Sequence, residues 1–351
     1  MKFIGGFFEL DLGFASRGPT TNLCLPTIST ITFENGRSAL CAWLQDTRAP
    51  KVWIPSYICP SVVEAVIHSD TPYGYYRVDS ELQPDIAYLS KFVAPKEVVL
   101  AVDYFGSPPP RGFREWAATA SEVTFVEDCS QALCTGADPW GGWRLFSPRK
   151  LLGVPDGGYM VCTFPETENR NHISQKKSNA NSAFAALARF EDTDGTENLE
   201  WHRANQDREK SMGVSTRPMS RLSRAIISNL DLNLIARKRL ENYHSLDRTL
   251  SGISFFQGKQ IDFCPLGYPL RLSEHDRETL RATLISKGIF PTVHWENLPS
   301  PNDIFAESHQ LSREILTLPC DQRYSRVEME LVAQVVTSHL GLRYDTAPVR
   351  N

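Results

Sequence analysis

The sequence predicts an α/β fold: a large domain built on a mostly parallel sheet flanked by helices, followed by a smaller C-terminal α+β domain. Three observations carry this. Between residues 33 and 162, short apolar runs alternate with stretches of helical periodicity, the pattern of βα units. One run, EVVLAVDYFG from Glu97 to Gly106, is almost continuously apolar, as a strand covered on both faces must be. After residue 220 the alternation gives way to a long helical pattern and then to a mixture of strands and helices. The large domain is assigned to 1–220, with a polar excursion over 166–212. The linking helix and small domain take 221–351.

Each element follows from local signals. Asn35 caps a helix in which Ala39, Leu40, Trp43 and Leu44 recur at helical spacing. Val52-Trp53-Ile54 reads as a buried strand ending at Pro55, and Val62, Val63, Ala65 and Val66 fit the helix after it. TPYGYYRVDS is a second strand and EVVLAVDYFG a third. SPPPRGFREWAATA turns into a helix, and EVTFVEDCS is a fourth strand ending at Asp128. Trp143 to Phe146 and Gly157 to Cys162 are two further short strands. Within 166–212, SAFAALARF reads as a helical fragment. One long helix is predicted from Ser220 to Leu246. In the last hundred residues IDFCPLGYPLRL reads as a strand pair or bent strand, and DRETLRATLISKGI as a helix stopped by Gly288. FPTVHW is a strand, LTLPCDQRY a buried connection and RVEMELVAQVVTSHL the final helix.

Composition narrows the function. The 351 residues are 41% hydrophobic and 22% charged, which is ordinary for a globular protein with ample core. A formal net charge of -4 gives no electrostatic case for nucleic acid. No apolar run approaches the ~20 residues that cross a bilayer. The start, MKFIGGFFELDLG, is broken by Glu9 and Asp11 and reads poorly as a secretory signal. The eight cysteines (Cys24, Cys41, Cys59, Cys129, Cys134, Cys162, Cys264 and Cys320) form no CxxC pair, so reduced thiols in a cytoplasmic protein are expected. Eight histidines without HxxxH or HxH spacing give little support to a metal site.

The chemistry concentrates between Phe125 and Gly158, FVEDCSQAL and then RLFSPRKLLGVPDGG. Asp128 ends an apolar strand, and Lys150 follows 22 positions later in a loop. Pyridoxal phosphate chemistry needs such a pair. An amine forms a Schiff base with the cofactor aldehyde, and a carboxylate keeps the pyridine nitrogen protonated. An acid at a strand end and a lysine in a loop are also common without any cofactor. Arg149 is a neighbouring positive charge that favours an uncharged Lys150 amine. Gly157 and Gly158 let the backbone pass close to the lysine loop. Gly36 permits close backbone approach, and the helix start at Gly36 and Ser38 is a seat for a phosphate dianion, although a plain capped helix has the same residues. Tyr57 and Cys59 fall in a βα loop, where a flat side chain could cover a ring. His294, at the end of FPTVHW, either faces a ligand or is structural.

In this order (NGRSAL, IPSY, VDYFG, FVEDCSQAL, SPRKLLGVPDGG, KGIFPTVHW and LTLPCDQRY) the chain resembles the DegT/DnrJ/StrS family of pyridoxal-phosphate aminotransferases of fold type I, from about residue 30 onward. The resemblance implies Lys150 as the Schiff-base lysine and Asp128 as the partner of the pyridine nitrogen. It places Gln131 by the ring, and Gly36, Arg37 and Ser38 in the phosphate turn. Ser147 precedes the lysine by three residues; the family's phosphate serine more often precedes it by five, where this chain has Leu145. The family's stacking aromatic falls at Cys59, with Tyr57 the nearest substitute. Arg217 and Arg221 are candidates for an arginine donated across a homodimer. The implied reaction takes an amino group from a small-molecule donor such as glutamate to a carbonyl acceptor, often a nucleotide-linked keto-sugar. Elimination, substitution or carbon–carbon bond formation on the same cofactor is the alternative, and a non-catalytic binding protein is a remoter one.

Overall fold

The computed structural model describes residues 3–12, 32–133, 139–163, 177–178, 180–192 and 198–342. In chain order the elements are β1 (Ile4–Gly5), β2 (Thr32–Phe33), α1 (Gly36–Thr47), β3 (Val52–Pro55), α2 (Pro60–His68), β4 (Tyr73–Tyr76), α3 (Ile86–Phe92), β5 (Val98–Val102) and α4 (Arg111–Thr119). They continue with β6 (Thr124–Asp128), β7 (Trp143–Phe146), β8 (Gly158–Cys162), α5 (Phe184–Glu191), α6 (Asn198–Ser211), α7 (Arg221–Asn229) and α8 (Leu232–Leu250). The last are β9 (Tyr268–Arg271), α9 (Glu274–Ser286), β10 (Ile289–Phe290), α10 (Ala306–Glu314), β11 (Ile315–Leu318) and α11 (Arg326–Leu340).

A seven-stranded sheet in the order β2-β8-β7-β6-β5-β3-β4 forms the centre. The pairs β3–β4, β3–β5, β5–β6 and β6–β7 are parallel, while β8 runs antiparallel to both β7 and β2. The mostly parallel α/β sheet is thus present. All five residues of β5 are buried, as its unbroken apolar run requires. One apolar cluster runs from β5 through Tyr268, Leu316 and Leu318 to Val332 and Val336 of α11, so the central sheet and the C-terminal unit share a core.

Several expected elements take a different form. The helix expected from Ser220 to Leu246 is two helices, broken where Leu230 is extended (φ -81°, ψ 139°). Asp231 then caps α8, its carboxylate accepting from Leu234 N at 2.9 Å. A short acidic side chain that bonds the backbone ahead of it favours a new helix start over continuation. FPTVHW is not one strand: β10 ends at Phe290 because Pro291 has no N–H for a ladder, and Thr292 makes only an isolated bridge to Thr317. LTLPCDQRY is buried, but it begins in a true strand, β11, antiparallel to β9. IDFCPLGYPLRL holds one strand, confined to Tyr268–Arg271. Helix α3, capped by Asp85, and helix α10 were not read from the sequence.

The first described residues join the C-terminal unit. β1 pairs in parallel with β10, Gly5 N donates to the Tyr324 hydroxyl at 2.7 Å, and Arg323 binds Glu9 at 2.9 Å. Of the polar excursion, α5 and α6 are described. Cys24, Cys134 and residues 166–176 and 193–197 lie outside the described residues. Cys41, Cys59 and Cys320 are free thiols, and among the described residues no helix is long and apolar enough to cross a membrane.

Candidate active site

Asp128 is placed by strand register. It pairs with Val102 of β5 on one side and Leu145 of β7 on the other, and neighbouring residues in register share a face. All three line one cavity. Its neighbour Glu127 points to the opposite face, where it meets Arg144, again its partner in register, at 2.8 Å. Just beyond the strand the chain turns tightly. Ser130 N donates to Asp128 Oδ1 at 2.9 Å, and Phe105 N donates to Gln131 Oε1 at 2.7 Å.

Lys150 sits in the turn after β7, closed by bonds from Lys150 N to Ser147 O and from Leu151 N to Pro148 O. The loop returns through Asp156, a buried carboxylate that accepts from Ser220 N, Ser220 Oγ, Ser223 Oγ and Ser182 Oγ at 2.6 to 3.1 Å. Gly157 follows with φ +136°, a region L side chains rarely adopt. A Cβ on Gly158 would stand 2.0 Å from Asn35 C, so the glycine pair does allow the close approach of α1's start to this loop. By contrast, a Cβ on Gly36 would meet Ser147 Cβ at an ordinary 3.5 Å.

One cavity therefore collects Gly36, Arg37, Cys59, Asp128, Gln131, Ser147 and Lys150 from the residues singled out in the sequence. Its free volume is about 40 Å³, and Lys150, Arg37 and Met212 are among the side chains that line it. A larger cavity of about 750 Å³ shares only Val102 with it. That cavity borders the buried carboxylates of Asp103 and Glu127, bridged by Trp140, with Arg144 also donating to Glu127.

Four expectations need correction. Ser38 is part of the helix cap: its N–H and its hydroxyl both donate to Asn35 Oδ1 at 2.9 Å, and its hydroxyl accepts from Ser215 N. The Arg37 guanidinium is tied at Nη1 to the Glu64 carboxylate and the Met212 carbonyl, which offsets the charge it would bring to an anion. Tyr57 is fully buried behind the cavity, packed on Tyr104 and Trp295 with its hydroxyl unpartnered, and burial pushes that hydroxyl's pKa far up. Trp295 is instead the aromatic that lines the cavity. Arg149 forms a bidentate pair with Glu209 of α6, at 2.6 and 3.2 Å, which offsets the charge it was expected to bring to Lys150.

His294 packs edge-on to Phe105 and bonds Thr317 Oγ1 at 3.1 Å. It does not line the cavity. Desolvation first, and the charge of Lys150 second, lower its pKa to about 3. Arg217 and Arg221 are exposed and lie outside the cavity. Trp295, Met212, Asp156 and Glu209 were missed. Only Asp156, next to the glycine pair, carried a local signal.

No protein-family model matches the sequence, and no curated protein sequence does. Solved structures do. PseC of Helicobacter pylori, an aminotransferase involved in the biosynthesis of pseudoaminic acid, superposes with a TM-score of 0.66 at 13% identity, covering 97% of this chain and 100% of its own. The PLP-form of Spr1654 from Streptococcus pneumoniae gives 0.62 at 14% identity, covering 96% and 98%. A DegT DnrJ EryC1 StrS aminotransferase from Brucella abortus gives 0.60 at 17% identity, covering 88% and 85%. The fold of this chain is therefore the one these structures share.

Proposed function

We propose that the chain is a pyridoxal-phosphate-dependent aminotransferase of the DegT/DnrJ/StrS family, moving an amino group from a small-molecule donor to a keto or aldehyde group on a sugar-derived acceptor. One observation carries this reading: Lys150, Asp128, Gln131, Ser147 and the N-terminus of α1 line a single cavity. The shared fold supports it, as do the part of PseC in pseudoaminic acid biosynthesis and the PLP-form of Spr1654, described as a sugar aminotransferase. A homodimer in a reducing, cytoplasmic setting is part of the proposal, supported by the resemblance.

The donor set fits the cofactor. An amine and a buried carboxylate face one cavity. Beside them the 12-residue helix α1 presents the N–H groups of Gly36 and Arg37, which as first-turn donors have no intrahelical acceptor. Ser147 lies against that helix start. When bound, pyridoxal phosphate supplies an aldehyde that condenses with amines and a protonated ring that draws electrons from the attached carbon.

Each residue then has a task. Lys150 Nζ would hold the cofactor through its aldehyde and, once released, would serve as the amine that moves a proton at the donor's carbon. The Asp128 carboxylate, one oxygen fixed by Ser130 N, keeps a proton on the ring nitrogen. Val102 and Leu145 flank that carboxylate with apolar surface and exclude water, which strengthens its hold. Gly36 N, Arg37 N and the Ser147 hydroxyl receive the phosphate.

The test is keto-acid release. Loaded with cofactor and offered a panel of amino donors that includes glutamate, the chain releases the matching keto acid in turnover only when a carbonyl acceptor is added. Turnover of an activated amino acid, with no keto acid from any donor, would contradict transamination and favour elimination or substitution.

A further inference from the structure

We propose that Gln322, held by Arg239, is a positioning residue that sets the lysine loop so that the Lys150 amine reaches the cofactor; this rests on the cofactor reading above. The carbonyl of Leu151, the residue after Lys150, accepts from Gln322 Nε2 at 2.9 Å and from Arg239 at 3.4 Å. Gln322 Oε1 in turn accepts from Arg239 at 2.6 Å, and Gln322 Nε2 also donates to Asp11 Oδ2 at 3.1 Å. Arg239 is anchored at its other nitrogens by the carbonyls of Pro265 (2.8 Å) and Leu266 (2.6 Å). Both side chains are almost fully buried, Gln322 at 3% and Arg239 at 1% exposure. Helix α8 and the segment after β11 therefore converge on one peptide group beside Lys150.

The arrangement does more than fill space. The turn at Pro148 to Lys150 is a single short turn, whose own bonds end at Pro148 O. Beyond it, the orientation of the Leu151 carbonyl fixes the backbone from which the Lys150 side chain departs. A primary amide of this length can accept from Arg239 while donating to Leu151. Glutamate keeps the acceptor and loses the donor, and methionine keeps the length and loses both.

The experiment adds pyridoxal phosphate to the full chain and follows the visible absorbance band that forms, its rate and its pH midpoint. Wild type is compared with Gln322→Met, Gln322→Glu and Asp11→Asn, well below each melting temperature. Gln322→Met and Gln322→Glu are expected to capture the cofactor at least tenfold more slowly and with a displaced pH midpoint. Asp11→Asn, which keeps an acceptor for Gln322, behaves as wild type. A folded Gln322→Met with the wild-type rate and midpoint overturns the proposal. So does failure of both Gln322 variants to fold, since the residue is then structural only. Absence of the band in wild type itself overturns the cofactor reading instead.

Discussion

At the scale of single residues, Asp128 ends a strand, Lys150 sits in the next strand's loop, and both line one cavity. Register then did the rest, bringing Val102, Asp128 and Leu145 to one face. Tyr57 and Ser38 were not legible, since where a loop side chain turns is decided by what packs on it. Tyr57 is drawn into the core by Tyr104 and Trp295, and Ser38 is claimed by Asn35. Asp128→Asn puts a neutral amide where the proposal needs a carboxylate to hold the ring proton. It is expected to lower kcat by about 10²–10⁴-fold while leaving stability within about 1 kcal/mol, checked by steady-state kinetics and thermal melts. His294 gives a pH prediction. Its folded pKa, about 3, lies below the ordinary 6.5, so between those values the unfolded chain takes up a proton that the folded chain refuses. Stability from this residue is complete above pH 6.5 and is lost as pH falls toward 3. Urea melts at pH 4.5 and 7 should therefore differ less in His294→Asn than in wild type; an unchanged difference would contradict the assignment.

At the scale of elements, the strands and helices of the central sheet follow their periodicity closely, while the C-terminal unit departs from it. The departures have local causes: Asp231 starts a new helix, and Pro291 stops a strand. The lysine loop owes its shape to side chains far off in sequence, which no spacing rule reveals. Asp156 gathers Ser182, Ser220 and Ser223, and the Gly157-Gly158 pair admits α1. Two substitutions separate steric need from function. Gly158→Ala drives a methyl into the Asn35 backbone and should cost more than about 3 kcal/mol in a denaturant melt, beyond the usual range for overpacking. Gly36→Ala meets only ordinary contacts and should change stability by less than about 1 kcal/mol. Its methyl, placed against Ser147 where the phosphate is proposed to sit, should weaken cofactor binding measured by titration.

At the scale of the whole molecule, the chain is closed by its N-terminal segment, which pairs with β10 and is held by a buried charge cluster. Within that cluster, burial is the largest single influence and would raise the Asp321 pKa, but the charge and hydrogen bonds of Arg323, with the charge of Arg239, together outweigh it and hold the carboxyl below its usual range. The α/β class was readable from alternation alone; this long-range clasp was not, because two residues of strand carry no period. In sedimentation equilibrium the proposed homodimer should give twice the 39.5 kDa chain mass, and a monomer at micromolar concentration would count against an active site shared between subunits. The most direct test of the central claim is chemical. Treat the cofactor-loaded chain with borohydride, digest it and locate the pyridoxyl mass by mass spectrometry. The account predicts a single modified peptide, with the label on Lys150. A label on another lysine, or scattered over many, would contradict it.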